Sequence, residues 1–346
     1  MHAWWAEPDS LSHARAELQR ALPGAVIDQP EAGFLSIADI ATPPVIAFAR
    51  QALPNARRMP VPSIRAAGEG IANEVLGSLP DEAPWRLHVA SCYGMGRAGE
   101  NRCRLIDEAV VEILRRRRRM RMKSRLPGDA PPRAGECWVQ WLLVAPDRAV
   151  ASLAGPDLVR SWLPMLVPAP AGQIPVASDK SAPCRAFAKL AEAEVRMGQR
   201  IVPGQSVVDL GASPGSWTHW AVQQGATVTS VDRAPLREDL MSHPRVRFAQ
   251  GDAFAHEPAR AVDWLVCDVI AAPRRSIDLA IRWARNRWAR RLVVTIKFKG
   301  NADYPILDEL KSGLAPLCAE FRLARLCANR NEACVMAVLP EFPPCP

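Results

Sequence analysis

Val207 to Trp217 reads Val-Val-Asp-Leu-Gly-Ala-Ser-Pro-Gly-Ser-Trp, and this stretch decides the fold. Its apolar start is typical of a buried strand, and its two glycines let the backbone approach a ligand closely. Pro214 and the residues after it can begin a helix. The stretch therefore predicts a strand, a glycine-rich turn and a helix that together hold a cofactor.

Two other interpretations of the turn are weaker. Gly211 to Gly215 has the G-x-S-x-G form of a hydrolase nucleophile elbow, with Ser213 as the nucleophile. The next residue is Pro214, which has no N–H to stabilise an oxyanion, and no histidine follows His256. A dinucleotide fold is disfavoured because the third glycine of G-x-G-x-x-G is missing.

Three acidic residues follow the turn, each where an apolar run ends: Asp232, Asp252 and Asp268. In an open α/β sheet the ligand binds outside the carboxyl ends of the strands, so these positions predict carboxylates around one site. Each acid taken alone could equally be a helix cap or a surface turn. The succession of three favours the site.

These residues resemble the class I S-adenosylmethionine-dependent methyltransferases, and within them the FtsJ-type RNA 2′-O-ribose methyltransferases. The glycine-rich turn is similar to the first motif of that family, and the family's Lys-Asp-Lys-Glu tetrad is matched by Lys189, Asp268, Lys297 and Glu332. The resemblance implies S-adenosylmethionine as cofactor and no metal. It implies that the cofactor is bound by Asp209, Gly211, Ala212, Ser213, Pro214, Gly215, Ser216, Trp217, Asp232, Asp252 and Asp268.

The chemistry of ribose methylation gives the tetrad its use. A 2′-hydroxyl is a weak acid, so its attack on a sulfonium methyl group needs a positioned base, for which we choose Lys297. Burial and the positive charge of Lys189 favour a neutral Lys297, whereas Asp268 and Glu332 favour its ammonium form. We interpret the two acids as groups that orient the lysines and complement the sulfonium.

Other activities remain open at this point. A base methyltransferase would keep the cofactor domain, but the Asn/Asp-Pro-Pro-aromatic motif of amino-group methylation is absent after Cys267 and Asp268. Cys267 could serve as a cytosine-C5 nucleophile, although a cysteine in an apolar strand is more often an inert core residue. Lys299 is interpreted as a solvated strand-end charge or a phosphate contact. A non-catalytic RNA-binding or ribosome assembly factor on the same fold is the alternative from a different class.

The whole-chain properties suit an RNA-binding protein. The chain has 346 residues, a net charge of +8 and nine cysteines without a C-x-x-C pair, which argues against a disulfide framework and a zinc site. The sequence begins without a recognisable leader and has no apolar stretch of membrane-spanning length, so we expect a soluble cytoplasmic protein that does not bind membranes.

An uninterrupted basic run is the strongest charge feature. Five consecutive arginines end a predicted helix, and three further cations, Arg121, Lys123 and Arg125, follow them. Such a cluster favours a salt-sensitive phosphate contact, although cations are also stabilising at a solvated helix end. The predicted RNA contacts are Arg115, Arg116, Arg117, Arg118, Arg119, Arg121 and Lys123.

The chain is long enough for two or three domains. We predict an α/β protein whose C-terminal domain has a Rossmann-like, seven-stranded, mostly parallel sheet with an antiparallel last strand, as the resemblance implies. Ahead of it we expect α+β modules that resemble ferredoxin-like and RNA-binding THUMP domains. This order resembles a methyltransferase family that acts on a cytidine of 23S rRNA, which implies 23S rRNA or a large-subunit precursor as partner and no obligate protein partner. The predicted divisions are 1–75 ferredoxin-like, 76–165 THUMP-like, 166–180 linker and 181–346 methyltransferase.

Overall fold

The computed structural model describes residues 1–92 and 97–340. Contacts within the chain divide it into an N-terminal unit, Met1–Ile174, and a C-terminal unit, Pro175–Pro346. Among the described residues, no helix combines the length and apolarity needed to cross a bilayer. Within the same ranges, the structure has no group of three or more His, Cys, Asp or Glu side chains arranged to hold a metal ion.

The N-terminal unit contains two sheets. One has the strand order β2-β1-β3 and the other β4-β7-β6-β5, in which only β5 and β6 are parallel. The elements are β1 His2–Trp5, α1 Leu11–Ala21, β2 Phe34–Ile37, β3 Gln51–Leu53, β4 Ala56–Pro60, α2 Ile64–Ser78, β5 Trp85–Ser91, α3 Arg97–Arg117, α4 Met120–Lys123, β6 Cys137–Ala145, β7 Arg148–Ala154 and α5 Pro156–Trp162.

Helices α2 and α3 cover one face of the four-stranded sheet. Ile71 and Val75 of α2 and Val110 of α3 pack with Val139 and Trp141 of β6 in one apolar core. Burial of such side chains contributes about 1.5–3 kcal/mol each, so this contact stabilises the sheet.

The structure differs from the predicted boundaries in this unit. The division at residue 75 falls inside α2, and β4 pairs with β7, which lies about ninety residues later in the chain. The pairing satisfies the backbone groups of β4, and nothing in the local sequence signals it. The predicted linker also begins too early, because Leu166 and Val167 are buried and Gln51 donates to the carbonyl of Val167. The resemblance of these modules to ferredoxin-like and THUMP domains remains a prediction.

The C-terminal unit has the predicted α/β fold. Its seven strands follow the order β10-β9-β8-β11-β12-β14-β13, and only β14 runs antiparallel to its neighbours, as predicted. The elements are α6 Phe187–Met197, β8 Ser206–Leu210, α7 Ser216–Gln223, β9 Thr227–Asp232, α8 Glu238–Met241, β10 Val246–Gln250, β11 Val262–Cys267, α9 Pro273–Arg285, β12 Ala289–Lys297, α10 Ile306–Leu314, β13 Glu320–Ala324 and β14 Glu332–Val338.

The sheet order positions the site. Helices α6 and α7 cover one face, where Leu190 and Ala221 pack with Val207, Trp264 and Val293. Helix α9 packs on β12. The strand order reverses between β8 and β11, and in such sheets this reversal opens a crevice at the carboxyl ends of the strands. The glycine-rich turn leaves β8 at that crevice.

Candidate active site

The turn between β8 and α7 requires both of its glycines. Gly211 has φ +75° and Gly215 has φ +111°, a region that residues with a side chain rarely adopt. A Cβ atom on Gly211 would lie 2.9 Å from Cα of Val269, and one on Gly215 would lie 2.3 Å from Cδ1 of Leu240. The turn therefore packs directly against the residue that follows Asp268.

Asp209 lies beneath the turn and is 1% exposed. The hydroxyl of Thr218 donates to its Oδ2 over 2.7 Å, and that hydroxyl also lies 2.7 Å from Oγ of Ser230. Burial raises the pKa of Asp209 to about 7, and the hydrogen bond from Thr218 only partly offsets this shift. Asp209 thus ties the strand to α7 at the floor of the crevice.

Asp232 and Asp252 have different surroundings. Asp232 ends β9 and accepts hydrogen bonds from the backbone N–H groups of Ser213 and Ala234, each over 2.9 Å. Asp252 instead accepts from the N–H of Phe254 and pairs with Arg233 over 2.9 Å, and these contacts lower its pKa. The structure places Asp232 at the crevice and leaves Asp252 out of its lining, contrary to our expectation of three acids around one site.

A cavity of about 330 Å³ occupies the crevice. This volume is in the range of small-molecule sites. Ile270 stands at its rim with 88% exposure, so an apolar side chain lies beside carboxylates. A flat apolar base, ribose hydroxyls and a sulfonium fit such a donor set. The lining is Cys184, Ala186, Asp209, Gly211, Ala212, Ser213, Pro214, Ser216, Trp217, Asp232, Asp268, Val269, Ile270 and Lys297.

Four predicted catalytic side chains meet at one edge of this cavity. Nζ of Lys189, from α6, lies 3.1 Å from Oδ2 of Asp268 and 2.6 Å from Oε1 of Glu332. Nζ of Lys297 lies 3.1 Å from Oδ1 of Asp268 and donates to its main-chain carbonyl over 2.7 Å. In the antiparallel register, Lys297 of β12 stands directly opposite Glu332 of β14. The antiparallel pairing of β14 with β12 thus places Glu332 opposite Lys297.

The two lysines differ in environment. The side chain of Lys189 is 10% exposed and that of Lys297 is 22% exposed. Burial alone would lower the pKa of Lys189, but the charges and hydrogen bonds of Asp268 and Glu332 outweigh burial and raise it. Lys189 is therefore held as an ammonium ion between two carboxylates.

The structure also reveals a segment that the sequence did not indicate. Residues 179–186, which we call the strap, run along α7 ahead of α6. The N–H of Cys184 donates to Oγ of Ser216 over 2.9 Å, and that hydroxyl donates back to the carbonyl of Cys184 over 3.1 Å. Asp179 lies 2.9 Å from Nε2 of His219. The i, i+3 spacing of Ser216 and His219 was the only sequence signal, and their partners lie more than thirty residues away.

The predicted RNA contacts divide into two groups. Arg115 to Arg119 and Lys123 are exposed. Arg121 is 1% exposed and donates to the carbonyls of Val75, Leu79, Pro80 and Asp81, so it is not accessible to RNA. The prediction for Arg121 was wrong because its acceptors are the carbonyls at and just beyond the end of α2, which are distant in sequence. Arg116 and Arg118 also pair with Glu112 and Asp81.

Two alternative nucleophiles have unsuitable surroundings. Cys267 is fully buried, and burial raises the pKa of its thiol to about 12. Ser213 donates its hydroxyl to the carbonyl of Pro235 over 2.9 Å, which is not a general base. Neither residue is therefore prepared for covalent catalysis.

Comparison with known proteins agrees with this geometry. Residues 182–340 match the family described as FtsJ-like methyltransferase. The ribosomal RNA large subunit methyltransferase M of Alkalilimnicola ehrlichii is 31% identical over 309 residues, which cover 86% of this chain and 81% of that protein. This chain belongs to the ribosomal RNA large subunit methyltransferase M family. The family members of Halorhodospira halophila and Marinobacter nauticus are 35% and 38% identical over 161 and 164 residues. These two matches cover 46% and 44% of this chain, and 48% and 46% of those proteins.

Membership of the large subunit methyltransferase M family establishes the class of enzyme. The chain is an S-adenosylmethionine-dependent methyltransferase. The cavity beside the glycine-rich turn fits this cofactor, since it lies at the reversal of the strand order and combines apolar and carboxylate walls.

Proposed function

We propose that this chain transfers the methyl group of S-adenosylmethionine to a ribose 2′-hydroxyl of large-subunit ribosomal RNA, with a cytidine of 23S rRNA as target. The observation that carries the proposal is the position of the tetrad: Asp268 and Lys297 line the cofactor cavity, and Lys189 and Glu332 contact Asp268 directly or through one ion pair. A hydroxyl presented to Lys297 would therefore stand next to the cofactor.

The proposed step needs one proton acceptor. S-adenosylmethionine supplies an electrophilic methyl group on a positively charged sulfur. Neutral Lys297 accepts the hydroxyl proton as the ribose oxygen forms its bond to the methyl carbon and the carbon–sulfur bond breaks. The ammonium form of Lys297 then releases that proton to water. Asp268 holds Lys297 through its carboxylate and its main-chain carbonyl.

The charge balance of the tetrad supports this assignment. Lys189 is held positive, and it lies between the carboxylates of Asp268 and Glu332. With Lys297 neutral, the four side chains carry one net negative charge, which complements the sulfonium. We therefore assign the role of base to Lys297, and to Lys189 and Glu332 the role of orienting Asp268.

Methylation of unmodified ribosomal RNA tests the proposal. Purified protein with methyl-labelled S-adenosylmethionine should place the label on one ribose, detected as an alkali-resistant dinucleotide, and mass mapping should assign it to a cytidine. Lys297→Ala should lower kcat by about 10²–10⁴-fold. Lys299→Ala is the matched control, because Lys299 is an exposed lysine two residues further on, and it should leave kcat unchanged.

Three outcomes would contradict the proposal. Label on a base would make the protein a base methyltransferase. Absence of methyl transfer with intact RNA binding would favour the non-catalytic assembly factor. Equal activity of Lys297→Ala and the wild type would remove Lys297 from the role of base. Calorimetric binding of S-adenosylmethionine to each variant checks that the cavity is intact.

We also propose that the exposed end of α3 and the adjoining helix α4 contact RNA phosphates. Arg115, Arg119 and Lys123 are exposed, and their side chains have no ion-pair acceptor within the described ranges. Free guanidinium and ammonium groups of this kind bind phosphates in a salt-dependent manner. Neutralising these three residues should weaken RNA binding and flatten its dependence on salt, and unchanged affinity would make them a solvated helix end.

A further inference from the structure

A second cavity lies in the C-terminal unit, away from the cofactor. It has a volume of about 480 Å³, which exceeds the 330 Å³ of the cofactor cavity. Its walls come from the first residues of the strands, such as Ser206 and Thr227, and from residues 256–260. Because the cofactor binds at the carboxyl ends, this groove opens toward the opposite edge of the sheet. We call it the amino-edge groove.

The groove exists because one helix layer is incomplete. Residues 251–261 connect β10 to β11 without a helix. Val207 and Val228 pack toward α7, so Val208 and Thr229, the next residues in their strands, point to the other face. Parallel sheets are normally covered on both faces, so β8, β9 and β10 present an unusual open surface here.

Three arginines border this open surface. Arg245, Arg247 and Arg260 line the groove and are exposed. Their guanidinium groups have no hydrogen-bond or ion-pair acceptor in the part of the chain that the structure describes. Some exposed arginines elsewhere in the unit do have such acceptors, for example Arg233 with Asp252 and Arg274 with Glu309. The groove arginines are therefore available to an external anion.

The floor of the groove is compatible with a charged, extended ligand. Thr229 and Ala249 are small and half-buried, so a ligand backbone can approach the sheet closely. Glu257 is the one acidic residue of the lining, against three arginines and His256. Guanidinium groups bind phosphate oxygens in a bidentate manner, and charge complementarity thus favours a phosphodiester chain over a neutral or basic partner.

We infer that the amino-edge groove is an RNA-binding site that holds phosphates of the substrate outside the methylated nucleotide. Arg245 directly precedes β10 and Arg247 lies within it, and both line the groove, so they can contact successive phosphates, while Arg260 contacts the RNA strand from the facing segment. The strands β8, β9 and β10 are five or six residues long, about 16–20 Å, and the groove extends from their amino ends as far as Thr229 and Ala249. The groove therefore holds RNA phosphates at a fixed distance from the cofactor cavity and does not contact the target ribose. This inference rests on the proposed function, because that function makes RNA the partner.

The test removes the three charges and measures RNA binding directly. Arg245→Gln/Arg247→Gln/Arg260→Gln is compared with the wild type by fluorescence anisotropy on an unmodified 23S rRNA fragment, between 0.1 and 1 M salt. Loss of three phosphate contacts should reduce the slope of log K against log salt by about 2, and affinity at 0.1 M salt should fall by about 100-fold. The KM for RNA should rise while kcat and the affinity for S-adenosylmethionine stay unchanged.

The matched control removes the same charge elsewhere in the unit. Arg200, Arg285 and Arg287 are exposed and do not line the groove. Arg200→Gln/Arg285→Gln/Arg287→Gln should keep the wild-type salt slope. An equal loss in both triple variants would mean that only net charge matters, and would overturn the inference.

Two further outcomes separate the competing explanations. Unchanged RNA affinity in the groove variant would overturn the inference, and a change in sedimentation in that variant would then assign the groove to a second copy of the chain. Failure of the wild type to methylate ribose would sink the proposed function, whereas the binding measurement would still report on the groove.

Discussion

Replacing Gly211 by alanine should damage both the stability of the protein and its cofactor site. The backbone there has φ +75°, which costs an alanine about 1–2 kcal/mol. The new Cβ would also lie 2.8 Å from Cβ and 2.9 Å from Cα of Val269, and relief of such overpacking costs a further 1–3 kcal/mol or so. The two terms together predict a decrease of about 2–5 kcal/mol in the free energy of unfolding.

The clash has a consequence for function because Val269 follows Asp268 directly. Movement of the Val269 backbone displaces the Asp268 carboxylate and Ile270, which both line the cofactor cavity. A displacement of about 1 Å in reacting groups lowers the rate by about 100-fold, so kcat/KM should fall by that factor. Urea denaturation gives the stability change, and calorimetry with S-adenosylmethionine gives the affinity.

Gly204 provides the matched control. Its φ is +85°, but a Cβ there would meet no atom within 4 Å. Gly204→Ala should therefore cost only the conformational term of about 1–2 kcal/mol and should leave cofactor binding and kcat/KM unchanged. If the two variants lose equal stability and bind S-adenosylmethionine equally well, the close packing of the turn against Val269 does not position the site.

Three further substitutions test other parts of the structure. Ser216→Ala removes both hydrogen bonds to Cys184, so the KM for S-adenosylmethionine should rise while kcat is retained; a drop in kcat alone would show that the strap does not shape the cofactor cavity. Asp209 has a pKa raised to about 7 by burial, so the folded state binds a proton more tightly than the unfolded chain and stability falls as pH rises from about 4 to 7. Asp209→Asn should reduce that fall when urea denaturation is compared at pH 5 and pH 8, leaving the part due to Glu194, whose pKa burial also raises to about 7, and an unchanged pH dependence would contradict the assignment. Arg121→Met removes four buried hydrogen bonds to carbonyls and should cost about 3 kcal/mol or more, whereas Arg119→Met should leave the denaturation midpoint unchanged; equal midpoints would place Arg121 on the surface.

Local sequence predicted the turn well. The order of apolar run, glycines and proline between Val207 and Trp217 specifies a strand that breaks into a turn, and both glycines adopt the conformations that only glycine tolerates easily. The apolar run before Asp268 likewise predicts a central buried strand. These features depend on neighbours in the chain, so a sequence pattern is sufficient to find them.

The acids show where such patterns fail. Asp232 is the last residue of β9, and Asp252 lies two residues beyond the end of β10, so both follow a strand. Asp232 accepts a hydrogen bond from the backbone N–H of Ser213 in the turn. Asp252 instead forms ion pairs with Arg233 and Arg275, which come from other parts of the chain. Tertiary packing determines which group a carboxylate pairs with, and a position at a strand end does not reveal that partner.

The sequence by itself determined the class of fold and the cofactor turn, because glycine geometry and apolar periodicity act over a few residues, whereas the residues of the tetrad were implied by the family resemblance. Only the tertiary structure decided the register of β14 on β12, which sets Glu332 opposite Lys297, and that α6 carries Lys189 to both acids. It also buried Arg121 and left the amino-edge groove open. The physical reason is the same in each case: these contacts join residues far apart in the chain, and their energies depend on burial and on partners that no local pattern encodes.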